Sequence, residues 1–344
     1  MKIIKYLFFL LLLIVIGGSV YIATIDGEYQ IEESRIIDAP DELIFNTVNE
    51  YKTWEKWGPW MDMSDDLIMS YPNQTSGENA SYSWKSETQG DGSMKTVKIA
   101  PFSSIDQKIT FITPFGESGS DVYWKFEKIA PKKTKVSWGI KGEQSFMEKA
   151  FWVTQDSTLS ANIRPMYKRG LEKLEAYMQK QMDVYTINVD GVTEHNGGYY
   201  MYSATASSIT GIVPKIQELS QAVKTYIREN EIPQTGMPFT LYNEYNKEQG
   251  TAIFSVGIPT RDQVVVPNES TVLCNSLPQQ KVTKITLTGD YKNLKEAWEA
   301  GLTYMAENNL EMNEESPAFE VYRINPDLNP NPAAWVTEIY IPVK

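Results

Sequence analysis

At 344 residues the chain is longer than one hydrophobic core usually organises, and its 42% hydrophobic and 22% charged content is that of a folded protein. A net charge of −12 with no Lys/Arg run repels phosphate and argues against a nucleic-acid partner. One cysteine, Cys274, and one histidine, His195, exclude an internal disulfide and a zinc site of the usual His/Cys kind, and no cofactor motif is legible.

The chain opens with MKIIKYLFFLLLLIVIGGSVYIATIDGEY. Residues 6–23 form an uncharged apolar run after Lys2 and Lys5, and helical residues in that number reach about 27 Å, close to a bilayer core. Tyr6 and Tyr21 are placed for the two interfaces, and Asp26, Glu28, Glu32 and Glu33 follow. Residues 1–26 are therefore expected to be a single-pass membrane anchor. The positive-inside rule puts its N-terminus in the cytoplasm and the rest of the chain on the outer side. A cleaved signal peptide is the competing reading, with GGS at 17–19 as its small-residue site.

Residues 27–180 read as a first domain of short strands with one early and one late helix. YQIEESRII alternates as a strand does, and APDELIFNTVNEY reads as a helix with Pro40 in its first turn. After WEKWGPW come ASYSWKS, GSMKTVKIA, SIDQKITFI, SDVYWKFEKI and KTKVSWGIKG, separated by turn residues. Val122, Trp124 and Phe126 share one strand face, as do Val136, Trp138 and Ile140. DSTLSANIRPMYKRGLEKLEAYMQKQ predicts a long helix, kinked or interrupted early by Pro165. Trp54, Trp57 and Trp60 recur every three residues, as a pocket lid, a membrane-interface anchor or a packed plug.

An antiparallel sheet gripping a long C-terminal helix resembles the START-like (SRPBCC, polyketide cyclase-like) superfamily, on the stretches IIDAPDELIFNTVNEYKTWEKWGPW, KTKVSWGIKG and GLEKLEAYM. The resemblance implies a helix-grip fold around a cavity for apolar molecules, lined by residues such as Trp124, Phe126, Trp138 and Ile140. It brings no spaced acid–base pair.

Residues 182–344 read as a second domain containing an internal repeat. Tyr226, Ile232, Pro238, Tyr242 and Gly257-Ile258-Pro259 match Tyr304, Leu310, Pro317, Tyr322 and Tyr340-Ile341-Pro342, at separations that grow from 78 to 83 residues. Each half reads strand, helix, strand, strand, so the whole chain is expected to be α+β. In the second half KVTKITLTG is the strand. NLKEAWEAGLTYMAENN is the helix, and AFEVYRI and WVTEIYIPV are the hairpin partners.

Two tandem β-α-β-β units resemble the GyrI-like family, the effector-binding domain of bacterial transcription activators, on TLTGDYKNLKEAWEAGLTYMAENN and TEIYIPVK. The resemblance implies a groove for flat or lipophilic, often cationic, small molecules. It also implies a last-strand glutamate serving as counter-ion or, in ring-hydrolysing members, as catalytic residue. Glu338 stands at the matching position. It shares a strand face with Val336 and Tyr340 and corresponds to Ser255 in the first half. Walled by aromatics, its pKa is expected to rise. Tyr340, Trp298, Tyr322, Tyr304, Tyr242 and Phe254 are the candidate cage. No helix-turn-helix segment precedes this domain.

The leading expectation is a membrane-anchored protein that binds or sequesters a small lipophilic ligand. The alternatives are a hydrolase of reactive lipophilic electrophiles, with Glu338 as base or nucleophile, and a non-catalytic scaffold.

Overall fold

The computed structural model describes residues 2–113, 116–246 and 248–344. It divides into two compact units, Met1–Lys180 and Gln181–Lys344.

The first unit begins with helix α1 (Lys2–Thr24), long and apolar enough to cross a membrane or to be a signal sequence, with its large apolar side chains exposed. Strand β1 (Glu28–Ile37) follows, then helices α2 (Asp41–Asn49) and α3 (Trp54–Trp57). Pro40 caps α2 in an extended conformation instead of entering its first turn. Strands β2 (Ile68–Ser70), β3 (Ser81–Lys85), β4 (Asp91–Ala100), β5 (Ser104–Thr113), β6 (Gly116–Ala130) and β7 (Lys133–Glu143) then form an antiparallel sheet in the order β1-β7-β6-β5-β4-β3-β2. Helix α4 (Phe146–Val153) leads to α5 (Leu159–Met182).

Helix α5 is continuous through Pro165, so the expected break does not occur. It buries Tyr167, Leu171, Leu174 and Met178, a stripe at helical spacing. Tyr167 stacks on Trp138 with ring centroids 4.0 Å apart. The close approach needs Gly170, where a Cβ would come within 2.5 Å of the Trp138 ring. Trp54 and Trp57 are fully buried among Trp124 and Trp138, and Trp60 is half-buried beside them. Trp54 Nε1 donates to the Val48 carbonyl at 2.8 Å and Trp124 Nε1 to Gln107 at 3.1 Å, which offsets the cost of burying these polar tips.

The second unit carries β8 (Thr186–His195), β9 (Gly198–Ser208), α6 (Ile212–Glu229), β10 (Phe239–Asn246), β11 (Thr251–Pro259), β12 (Leu273–Leu277), β13 (Gln280–Thr288), α7 (Leu294–Glu307), β14 (Ala318–Ile324) and β15 (Val336–Pro342). All eight strands form one antiparallel sheet in the order β12-β9-β11-β10-β14-β15-β13-β8. α6 packs on β9 and β11, and α7 on β13, β8 and β15. α6 buries Ile212, Leu219, Val223 and Ile227. α7 buries Ala297, Gly301 and Met305, and a Cβ at Gly301 would come within 2.5 Å of Ile285. The central strands β10 and β14 run between the parts of the sheet covered by the two helices.

Candidate functional site

On β14, Phe319, Val321 and Arg323 alternate with Glu320 and Tyr322, so the strand presents a carboxylate to the face that carries the helices. Glu320 lies opposite Ile339, which packs in the cluster under α7, and opposite Thr240 on β10. Its side chain is 2% exposed. Trp298 Nε1, from α7, donates to Glu320 Oε1 at 2.7 Å. The Tyr322 hydroxyl stands 3.0 Å from Glu320 Oε2 and 2.9 Å from Thr240 Oγ1, and the Tyr242 hydroxyl donates to Oε2 at 3.2 Å. Among the described residues Glu320 forms no salt bridge. Burial pushes its carboxyl above the usual carboxylate range, and the three hydrogen bonds hold back only part of that rise. Burial likewise raises Tyr242 and Tyr322 well above ordinary phenols, with Glu320 adding to the shift.

Trp298 and Tyr242 are half-buried, meet edge to face at 6.0 Å, and form the outer wall. Phe254 is fully buried behind Tyr242 at 6.5 Å. Tyr291, in the turn before α7, flanks Tyr322 at 5.5 Å. This is an aromatic box around one carboxylate, with neutral donors and no cation among the described residues.

Glu338 lies on the opposite face of the sheet. Its carboxylate takes Lys284 Nζ at 2.8 Å, the Tyr340 hydroxyl at 2.7 Å and the Arg323 guanidinium. Burial would raise its pKa, but the hydrogen bonds from Lys284, Tyr340 and Arg323 together outweigh it and hold the carboxyl below its ordinary value. The expected rise is thus reversed, because Glu338 already has two cations. Tyr340 stacks on Phe319 at 4.8 Å on this same face. His195 meets both rings edge-on, and its Nδ1 accepts from the Gly197 N–H at 3.1 Å. A cavity of about 90 Å³ opens here, lined by His195, Tyr200, Phe239, Phe319 and Arg323. Burial lowers the His195 pKa, helped by Arg323 and opposed by Glu338.

Of the residues singled out from the sequence, Trp298, Tyr242 and Tyr322 come together, with Phe254 adjoining. Glu338 and Tyr340 form a separate cluster. Tyr304, near the end of α7, has its hydroxyl by Gly191 of β8. Glu320 was not among the expected residues, although AFEVYRI shows the same signature as the last strand: a carboxylate alternating with an aromatic in an apolar run. In the first unit Trp124, Phe126 and Trp138 pack ring against ring with Ile140 buried beside them, and they line neither the cavity of about 90 Å³ nor the one of about 450 Å³. No group of three or more His, Cys, Asp or Glu able to hold a metal ion occurs among the described residues.

Comparison with curated proteins found no match. Among solved structures, the EcmrR C-terminal domain is 17% identical, with a TM-score of 0.38 over 47% of this chain and 98% of that one. The protein MLL2253 from Mesorhizobium loti is 13% identical, with a TM-score of 0.33 over 44% of this chain and 98% of that one. The Aha1 dimer from Colwellia psychrerythraea is 14% identical, with a TM-score of 0.32 over 43% of this chain and 93% of that one. Residues 198–344, from the start of β9 to the end of the chain, match the family model of the GyrI-like small molecule binding domain.

Proposed function

We propose that this is a membrane-anchored small-molecule-binding protein whose second unit takes a lipophilic cation, with Glu320 as the counter-ion. One observation carries the reading: a fully buried carboxylate is boxed by Trp298, Tyr242 and Tyr322 and has no cationic partner among the described residues. A carboxylate left this way is complementary to positive charge on an apolar body. The role expected for Glu338 passes to Glu320, because Glu338 is neutralised by Lys284 and Arg323.

The anchor reading of α1 is supported by its apolar run and by Lys2 and Lys5 before it, and by the positive-inside rule the folded units are read as lying on the outer side. Residues 27–180 are read as a START-like helix-grip domain, supported by the long sheet and the buried stripe of α5. The ligand is read as belonging to the second unit because the matched small-molecule-binding family model covers residues 198–344.

The test is calorimetric titration of the full-length protein in detergent with an aromatic quaternary ammonium ion and its neutral isostere. Wild type is expected to bind the cation and not the isostere, and Glu320→Gln to bind neither. Equal binding of cation and isostere by both proteins would remove the counter-ion role.

A further inference from the structure

Helix α4 is inside out for a helix in water. By 100° steps Phe146, Met147, Phe151 and Val153 fall within an arc of about 160°. All four are exposed. The polar residues turn inward: Glu148 bonds Ser118 and the Ser145 backbone, and Lys149 Nζ donates to the Ile25 carbonyl at 2.9 Å. The helix has a complete capping box at Ser145 and Glu148, so its orientation is held by its own polar residues.

Its position is also fixed relative to α1. α4 packs on α1, and Ile25, the residue Lys149 grips, follows immediately after that helix. The positions in the last two turns of α1 that protein shields are Ser19 and Ile22. If residues 6–23 cross the bilayer, a helix docked there lies at headgroup depth. We infer that α4 is an interfacial membrane helix that sinks Phe146, Met147, Phe151 and Val153 into the lipid beside the anchor and sets the first unit against the bilayer. The inference rests on the anchor reading of α1.

The bilayer is chosen over a second copy because the apolar arc sits next to the emerging span. Asp26 and Glu28 follow α1, and on α4 Lys149 is offset by Glu148, so docking works through apolar insertion and needs no anionic lipid. The cavity of about 450 Å³ lined by Ile25, Tyr29, Lys149, Trp152 and Leu159 then opens at the lipid headgroups.

The test uses full-length protein carrying Cys274→Ser in phosphatidylcholine vesicles. A single cysteine replaces Phe151, Leu12 in α1, or Ile129, exposed at the far end of β6, and carries an environment-sensitive fluorophore. The expected result is blue-shifted emission at Phe151→Cys and Leu12→Cys, with most of the intensity lost to acyl-brominated lipid, while Ile129→Cys stays water-like. Quenching at Leu12→Cys with Phe151→Cys behaving like Ile129→Cys overturns the inference and leaves the anchor standing. A blue shift at Phe151→Cys without quenching assigns the face to a second copy and also overturns it. No quenching at either Leu12→Cys or Phe151→Cys overturns both the anchor and the inference.

Discussion

The two faces of the second unit's sheet hold one buried or half-buried carboxylate each, and their surroundings shift the two pKa values in opposite directions. Glu338 meets Lys284, Arg323 and Tyr340 and is held ionised. Glu320, one strand away, meets only an indole and two phenols, and burial favours its protonated form. Glu338 is a finished ion-pair cluster, and Glu320 is an unfinished one. What distinguishes the two carboxylates is the supply of counter-ions, not the depth of the strand.

The contrast breaks most sharply at Glu320. Glu320→Gln is expected to cost about 2 to 5 kcal/mol of cation affinity, on the order of thirtyfold or more, read by titration calorimetry. Trp298→Phe keeps a ring and removes one donor to the carboxylate. A loss of about 1.5 kcal/mol, on the order of tenfold in affinity, is expected in the same titration.

The pH dependence sharpens the comparison through its sign. Glu320 has a raised folded pKa, so the native state binds more protons than the unfolded one. Its contribution to stability falls as pH rises from the unfolded carboxylate range through the raised value. Glu338 has a depressed folded pKa, so its contribution is present above the unfolded value and lost as pH falls through the folded one. Urea unfolding over a pH series, with each Gln variant subtracted from wild type, should give slopes of opposite sign. Like slopes would show that the two environments are not distinct. Affinity for a permanent cation should climb with pH through the raised Glu320 value and then level off. The smallest effect is at Glu338→Gln, with about 1 kcal/mol lost from stability, because Arg323 is partly exposed, and cation affinity unchanged.

Most strands were legible because alternation over five or more residues is a strong signal, as in SYSWK and KTKVSWGIKG. Strand β2 has three residues and no period to read. Helix α4 escaped notice because its apolar residues face away from the protein, so core periodicity does not describe it. The two carboxylates look alike in the sequence for a related reason. Alternation separates the faces of a strand but does not say which face the helices cover. β14 and β15 bury side chains on both faces, so an apolar run with an aromatic neighbour looked the same on each. The family resemblance then favoured the last strand. Trp298, Tyr242 and Tyr322 gather at Glu320 because α7 and the strands β10 and β14 lie where their spacing in the sequence predicts a helix and hairpin strands.

The register at the centre of the sheet has one more consequence. Phe239 faces Val321 and Leu241 faces Phe319, and between them Thr240 faces Glu320. In the sequence repeat Tyr242 matches Tyr322, a shift of 80 residues that makes Thr240 and Glu320 counterparts, and the strand pairing sets these two directly opposite each other. Glutamate in both halves would put two carboxylates across one rung, about 5 Å apart at Cβ, competing for a single proton. The repeat therefore doubles the aromatic walls of this box, as Tyr242 and Tyr322, while the rung between the halves carries one carboxylate, Glu320.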